Sequence, residues 1–234
     1  MLNQKLKVSI CGVGMMGHGL AYNIIKAGHK LVFLNHQGNQ PVEDLIALGG
    51  TQVESIYELV SDAEIIVTCV TGEDEVEDVI LRKGGIRDNL KPGSIVIDCT
   101  TSIPDTTRKI ASFIEEAGCD FADVAMTRTP KEAAQGTLGL IVGSETSLFE
   151  KLHPFLTCIG ESIVHAGPVG SGHTLKLLHN FVSLGFAALL AEAAAAANES
   201  NVNSSIFSNN NQPPVPIVLI FTISPMLFCK LSNW

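Results

Sequence analysis

The sequence predicts an α/β protein in which a doubly wound parallel sheet precedes a long helix. Short apolar segments rich in β-branched residues alternate with helical segments from Lys7 to about Val164, as in sheets whose strands are joined by helices. A glycine-rich turn joins the first strand to the first helix. The run from Phe181 to Ala197 is apolar on nearly every side, which predicts a buried helix at the start of an incomplete all-α second domain.

The turn after the first strand is the most specific pattern in the chain. Val8–Cys11 suits a buried strand, Leu31–Leu34 a second one, and the segment between them contains G-x-G-x-x-G and a helix that ends near Gly28. The first glycine permits a tight turn, the second a close approach of pyrophosphate, and the third close packing of helix on strand. Together with the free helix N-terminus, this context predicts a Rossmann-type dinucleotide site. Its expected contacts are Gly12, Val13, Gly14, Met15, Met16 and Gly17.

Composition narrows the class of protein. The 234 residues carry a formal net charge of −9, which argues against nucleic acid or an anionic membrane as a partner. None of the six cysteines forms a C-x-x-C pair, so no metal site is expected. Cysteines in predicted buried strands fit a reducing compartment, and Lys5 and Lys7 lead directly into the first strand without a signal-peptide pattern. We therefore expect a cytoplasmic protein.

The loop after the second strand bears on the choice of cofactor. A carboxylate here would favour NAD and an arginine would favour NADP, but the segment from Asn35 to Gln40 contains neither. Asn35 and His36 are available donors, and the missing carboxylate favours NADP weakly over NAD. A solvated loop that says nothing about the cofactor is the alternative.

Further elements follow in order. The expected helices begin at Pro41, Ser55 and Glu73, and the expected strands are 63–70 and 94–97. Val70 and Thr71 end the first of these strands and are candidate cofactor contacts. The second strand leads into D-C-T-T-S-I-P, in which Thr100, Thr101 and Ser102 could contact the nicotinamide ribose; Thr101 or Ser102 could instead cap the next helix.

A second group of polar residues precedes the apolar helix. Strands are expected at 120–126 and 138–142 and a helix at 149–156, after which glycines interrupt the chain before Lys176 and Asn180. These two residues are four apart and share one helix face. Desolvation would lower the pKa of Lys176 toward a range useful for proton transfer. The alternative is a lysine that extends its amine to solvent at the helix end.

Four ordered motifs resemble the β-hydroxyacid dehydrogenase family over about residues 6–207. They are G-V-G-M-M-G, G-H-K-L-V-F-L-N, D-C-T-T-S-I-P and G-P-V-G-S-G-H-T-L-K-L-L-H-N. The resemblance implies an NAD(P)-dependent 3-hydroxyacid dehydrogenase or semialdehyde reductase, with a cofactor domain like that of 6-phosphogluconate dehydrogenase. It implies that Lys176 is the general acid/base, that Asn180 places the substrate and that Thr101 contacts the cofactor. An imine reductase is a rival that the lysine argues against.

The chain departs from the family pattern in one internal segment. D-V-A-M-T-R-T stands where the family usually has D-A-P-V-S-G-G, the segment that binds the substrate carboxylate. Thr127 keeps a hydroxyl, whereas Arg128 and Thr129 replace two glycines. Arg128 could bind an anion or point to solvent. His179 stands where an asparagine is common, in a packing role or as a second acid/base.

The expected domains are a Rossmann domain at 1–165, the start of an all-α domain at 166–207 and a divergent tail at 208–234. The tail lacks the family's further helices, which suggests a truncated or altered reading of a longer gene; a genuine short form is the alternative. A long apolar helix without partners predicts a homo-oligomer or an unstable chain. A dinucleotide-binding protein without catalysis is the rival from another functional class.

Overall fold

A computed structural model describes residues 5–200 of the chain, and within them eight strands form one sheet. The strands are β1 (Lys7–Cys11), β2 (Lys30–Leu34), β3 (Thr51–Val53), β4 (Ile65–Thr68), β5 (Ile95–Asp98), β6 (Asp120–Thr127), β7 (Leu138–Gly143) and β8 (Gly160–Gly167). Their spatial order is β3-β2-β1-β4-β5-β6-β7-β8. The chain reverses its direction of travel across the sheet between β3 and β4, so the ends of β1 and β4 border the ligand crevice typical of this topology.

Helices connect the strands. They are α1 (Gly17–Lys26), α2 (Glu43–Ala47), α3 (Ile56–Val60), α4 (Glu73–Leu81), α5 (Pro104–Glu116), α6 (Pro130–Gln135), α7 (Thr146–Leu156) and α8 (Ser171–Glu199). The central strands β4 and β5 are buried along their whole length. Alternate side chains enter two separate apolar clusters, so that Ile65 and Val67 belong to one and Ile66 to the other, as expected for a sheet with both faces covered. The Rossmann-type α/β architecture predicted from the sequence is confirmed.

The sheet is not wholly parallel. β6 and β7 pair antiparallel, with Asp123 opposite Gly143, whereas every other neighbouring pair in the sheet is parallel. The connection between β6 and β7 holds only the short α6, too little for the longer crossover that parallel pairing requires. The sheet is therefore mostly parallel, and the sequence analysis did not anticipate this one antiparallel pair.

Several short elements have no counterpart in the sequence analysis. β3, α6 and β8 lie in segments that carry polar residues or few apolar ones. α6 is instead marked by a capping box, in which Thr129 pairs with Glu132; α3, which the sequence did predict, has a similar box of Ser55 and Glu58. α5 begins after Ile103 with Pro104 at its first position and no side-chain cap, so the alternative role of Thr101 or Ser102 as its cap is wrong.

The chain divides into a first unit that ends at His179 and a second that begins at Asn180. The described part of the second unit is the rest of α8. The expectation that this helix is buried is wrong, because Phe181, Leu184 and Leu189 are 79%, 68% and 70% exposed. By length and composition alone α8 is apolar enough to cross a membrane, a test that core helices of soluble proteins also pass. The predicted tail at 208–234 lies outside the described residues.

Candidate functional site

The turn between β1 and α1 has the geometry expected of a phosphate-binding turn. Gly12 has a φ of +99°, in the region that favours glycine. A Cβ on Gly17 would overlap the carbonyl oxygen of Gly12, so only glycine lets α1 start this close to the strand. A Cβ on Gly14 would meet nothing within 4 Å, so its outer side is open to a ligand. Met15 is exposed and Val13 fully buried, which leaves the backbone of the turn as the binding surface.

The loop after β2 is fastened to this turn. Asn39 accepts a hydrogen bond from Val13 N at 3.2 Å and donates to Leu34 O at 2.9 Å, and Gln40 N donates to Val13 O at 2.8 Å. A cavity of about 500 Å³ borders the turn and is lined in part by Met15 and Gln40. The sequence analysis did not single out Asn39, although an asparagine in a loop between elements is a common sign of such backbone bridging.

The two predicted donors of this loop already have partners. Asn35 Nδ2 donates to both carboxylate oxygens of Glu54, at 3.1 and 3.0 Å. His36 Nδ1 accepts from Gly38 N at 3.0 Å, so Nε2 is the ring nitrogen left for a ligand. The loop is neutral, as expected, but a carboxylate from the next strand lies against it. No local sequence pattern brings residues 35 and 54 together, because the contact depends on the pairing of β2 with β3.

The predicted cofactor contacts that follow β4 and β5 differ in their exposure to solvent. Val70 is half-buried, and its N–H donates to Thr100 Oγ1 at 3.1 Å. Thr71 and Thr101 are exposed, so their hydroxyls remain available. Thr100 and Ser102 are 1% and 3% exposed. The structure thus leaves Thr101 as the hydroxyl of this motif that a ligand can reach.

A buried polar cluster lies below this edge. Asp98 Oδ1 accepts from Thr68 Oγ1 and from Thr100 N, both at 2.9 Å, and burial raises the pKa of Asp98. Thr107 Oγ1 donates to Ile103 O at 3.0 Å and is also hydrogen-bonded to His173 Nδ1, 2.7 Å away. The bond between Thr107 and His173 joins α5 to the first turn of α8.

Asp123 fixes the N-terminus of α8. This fully buried carboxylate accepts from Gly170 N at 2.7 Å and from His173 N at 2.8 Å. A Cβ on Gly172 would lie 2.8 Å from Asp123 Oδ2 and 2.6 Å from the carbonyl oxygen of Ile141, and a Cβ on Gly143 would overlap Oδ1. Glycine at these positions makes room for the carboxylate, which is stabilised by the free N–H groups and dipole of the helix start.

Lys176 lies in the second turn of α8 and is half-buried. Burial lowers the pKa of its ammonium group below the ordinary lysine value. Within residues 5–200 no carboxylate forms an ion pair with it. A lysine whose pKa is lowered in this way gives up its proton more readily than an exposed lysine does. Asn180 follows four residues later in the same helix.

The segment predicted to bind the substrate carboxylate has its polar groups engaged. Thr127 Oγ1 donates to Gly139 O at 3.1 Å, and the Thr129 hydroxyl is part of the α6 capping box. Arg128 has a φ of +79°, a conformation that glycine adopts more easily. Its Nη1 donates to Thr137 O and to the carboxylate of Glu161. A substrate anion would therefore compete with Glu161 for this guanidinium.

Another cavity lies at the opposite ends of the strands, where β1, β4 and β5 begin. Its volume is about 1120 Å³ and its lining includes Lys7, Asp62 and Lys91. Asp62 pairs with both lysines, at 2.6 and 3.5 Å, so their charges are compensated. Within the described residues no group of histidine, cysteine, aspartate and glutamate side chains could hold a metal ion. The candidate site residues described above therefore do not belong to this cavity; they lie at the edge of the crevice.

Comparison with known proteins places this geometry in a family. The model of the NAD binding domain of 6-phosphogluconate dehydrogenase matches residues 7–167. An uncharacterized oxidoreductase from Synechocystis is 37% identical over 194 residues, which are 82% of this chain and 67% of that protein. The 3-sulfolactaldehyde reductase of Escherichia coli is 31% identical over 195 residues, or 83% of this chain and 65% of the reductase.

Solved structures repeat the fold. Mycobacterium tuberculosis 3-hydroxyisobutyrate dehydrogenase with L-serine superimposes with a TM-score of 0.79 at 22% identity, over 90% of this chain and 72% of that one. The chain spans about two thirds of the length of the curated relatives that it matches. The glycine turn, the strand order and the matched residues agree with one another. The chain therefore belongs to the β-hydroxyacid dehydrogenase family, and residues 7–167 are its NAD(P)-binding domain.

Proposed function

We propose that the chain is an oxidoreductase that transfers a hydride between NAD(P) and a small β-hydroxyacid or semialdehyde. The observation that carries this proposal is the half-buried Lys176, whose pKa is lowered and which has no ion-pair partner within residues 5–200, in the helix that Asp123 fixes at the crevice edge. The bound nicotinamide would supply or accept the hydride. The open side of Gly14 and the backbone of the glycine turn fit the pyrophosphate of such a cofactor.

Lys176 is the proposed general acid and base. Its ammonium form would donate a proton to the carbonyl oxygen of an aldehyde during reduction, and its amine would remove the hydroxyl proton during oxidation. Partial burial supports this role because it brings the two protonation states closer in free energy. The positive charge would also stabilise an alkoxide that develops next to it. Asn180, in the same helix, is proposed to place the substrate.

Asp123 is proposed as a positioning residue for Lys176. Its two hydrogen bonds to Gly170 N and His173 N determine where α8 begins, and Lys176 lies one helical turn after His173. His173 adds a third attachment through Thr107 on α5. Such contacts limit the movement of the lysine amine relative to the sheet, which proton transfer requires.

The substrate end of the site is proposed to include Thr127, Arg128 and Thr129. A carboxylate substrate would need donors in this segment, and Arg128 is its cation. The guanidinium could serve either by leaving Glu161 or by sharing it. The exposed Thr101 hydroxyl and the backbone of Val70 and Thr71 are proposed to face the cofactor.

Location and assembly are part of the same proposal. The five described cysteines are free thiols, which fits a cytoplasmic enzyme. Exposed apolar side chains along α8, such as Phe181 and Leu184, fit a homo-oligomer. Both statements are predictions: cell fractionation tests the cytoplasmic location, and the molar mass in solution tests the homo-oligomer.

Steady-state kinetics test the proposal. Purified protein would be assayed with NADH, NADPH and a panel of short semialdehydes, and in reverse with β-hydroxyacids. Lys176→Ala should reduce kcat by about 10²- to 10⁴-fold, the usual contribution of a positioned acid/base, while dinucleotide affinity stays the same. The matched control is Lys26→Ala, which removes an exposed lysine at the end of α1.

The outcomes separate the candidate functions. Turnover that disappears in Lys176→Ala and persists in Lys26→Ala would support the enzyme. Dinucleotide binding without turnover on any substrate would favour the alternative hypothesis, in which the chain binds dinucleotides without catalysis. Equal turnover in both variants would overturn the role of Lys176.

A further inference from the structure

The ends of β2 and β3 border the place where a dinucleotide of this fold puts its adenosine ribose. In sheets of this type the ribose lies at the end of the second strand, next to the phosphate turn. Here Leu34, the last residue of β2, pairs with Val53, the last residue of β3. The next residues, Asn35 and Glu54, therefore leave the sheet side by side, and Asn35 N donates to Val53 O at 2.8 Å.

Glu54 supplies the carboxylate that the end of β2 lacks. Both of its oxygens accept from Asn35 Nδ2, at 3.1 and 3.0 Å. The amide group of Asn35 thus holds the carboxylate in place, and its own N–H donors point toward Glu54 rather than toward a phosphate. Both side chains are exposed, so a ligand at this edge can reach them.

The loop that follows keeps this pair near the cofactor turn. Asn39 bridges Val13 N and Leu34 O, and Gln40 N donates to Val13 O. The residues after β2 consequently run alongside the turn that starts at Gly12. The pair of Asn35 and Glu54 lies at the start of this fastened loop.

The surrounding segment has a uniform sign of charge. From Leu31 to Leu81 the sequence contains no lysine or arginine, while Glu43, Asp44, Glu54 and Glu58 all fall in or next to α2, β3 and α3. A 2′-phosphate carries about −1.5 to −2 charges near pH 7 and usually needs an arginine to bind it. A ribose with free hydroxyls needs only an acceptor, which a carboxylate provides.

We propose that Glu54 selects NAD(H) over NADP(H) by accepting from the ribose hydroxyls and repelling a 2′-phosphate. The proposal rests on the NAD(P)-binding domain and reverses the weak preference for NADP that the neutral Asn35–Gln40 loop suggests by itself. The discriminating carboxylate comes from the strand beside β2 and not from β2, which is why the order of residues along the chain conceals it.

Dinucleotide affinity measures this directly and does not depend on a substrate. Dissociation constants for NADH and NADPH would be determined from nicotinamide fluorescence for the wild type and for Glu54→Gln at low ionic strength. The wild type should bind NADH more tightly. Glu54→Gln should move the ratio of the two constants about tenfold toward NADPH, because one charge next to a phosphate is removed. Glu54→Arg should move it further, and added salt should reduce the differences.

The control is Glu116→Gln, which removes an exposed carboxylate at the end of α5. This helix end lies shortly before the start of β6, at the ends of the strands opposite the glycine turn. The control variant should leave the ratio unchanged. Equal or tighter binding of NADPH by the wild type, or a ratio that Glu54→Gln and Glu54→Arg do not change, would overturn the selection by Glu54. Failure of both dinucleotides to bind would overturn it together with the cofactor assignment.

Discussion

Two turns that each lead from a strand to a helix border the crevice. They differ in whether backbone or side-chain groups form the surface that a ligand would meet. The turn from Gly12 to Gly17 is made of backbone, with a glycine at positive φ and no side chain over Gly14. The turn from Thr127 to Thr129 is made of side chains, with Arg128 at positive φ, its guanidinium bound to Glu161, and Thr129 capping α6. The first is suited to a ligand common to many enzymes, and the second to a particular substrate.

This difference explains why the cofactor is easier to infer than the substrate. Backbone N–H groups at a helix start bind phosphate whatever the side chains are, so the pattern of glycines is sufficient. A turn made of side chains can be altered residue by residue without changing the fold. Substitutions in the two turns should therefore have effects of different size and kind.

The largest effect is expected in the glycine turn. Gly17→Ala should destabilise the protein by about 3 kcal/mol and abolish dinucleotide binding, because the new methyl group overlaps the Gly12 carbonyl and only the backbone can move. Gly14→Ala should fold like the wild type, since its methyl group has open space, yet lose affinity for the dinucleotide. Urea unfolding and fluorescence titration of both variants would test this. Normal binding by Gly14→Ala would contradict a cofactor at this turn.

A smaller effect on stability, and a separate one on catalysis, is expected at the start of α8. Asp123→Asn replaces one of two acceptors by a donor and should cost about 2 kcal/mol, the range for buried hydrogen bonds to a charged group. It should lower kcat but not dinucleotide affinity, because Lys176 is displaced while the glycine turn is intact. Asp105→Asn, at an exposed carboxylate in the first turn of α5, is the control. A loss of dinucleotide affinity in Asp123→Asn would contradict the independence of the glycine turn from the start of α8.

The smallest effects are expected at the side-chain turn, and they should have opposite signs. Arg128→Gly relieves an unfavourable backbone conformation and loses an exposed ion pair, so the free energy of unfolding should rise or stay within about 1 kcal/mol. Thr129→Ala removes a helix cap and should cost about 1 kcal/mol. Thermal midpoints of the two variants give the comparison. A stability loss in Arg128→Gly larger than that in Thr129→Ala would show that the arginine holds the turn together.

The sequence was sufficient where local patterns determine structure. The glycine spacing and the apolar strands β1, β2, β4 and β5 predicted the cofactor half of the sheet nearly residue by residue. It was insufficient where partners are distant in the chain. The antiparallel pairing of β6 with β7, the contact of Asn35 with Glu54 and the two hydrogen bonds of Asp123 all join separate elements.

The helix α8 shows a different limit. Its composition predicts burial between other helices, but burial depends on what packs against it. Gly172 and His173 are buried by the first unit, whereas Phe181 and Leu189, further along the same helix, are exposed. The buried part of the helix thus lies before the apolar run, and the run itself is exposed.

The pH dependence of turnover in both directions tests the central claim, which is that Lys176 transfers the proton. Because burial lowers its pKa below the ordinary lysine value, the ammonium form is lost as pH rises through that lowered pKa. kcat/KM for aldehyde reduction should therefore fall, and kcat/KM for hydroxyacid oxidation should rise, around one pKa that disappears in Lys176→Ala. Profiles that run parallel in the two directions, or that Lys176→Ala leaves unchanged, would contradict the account.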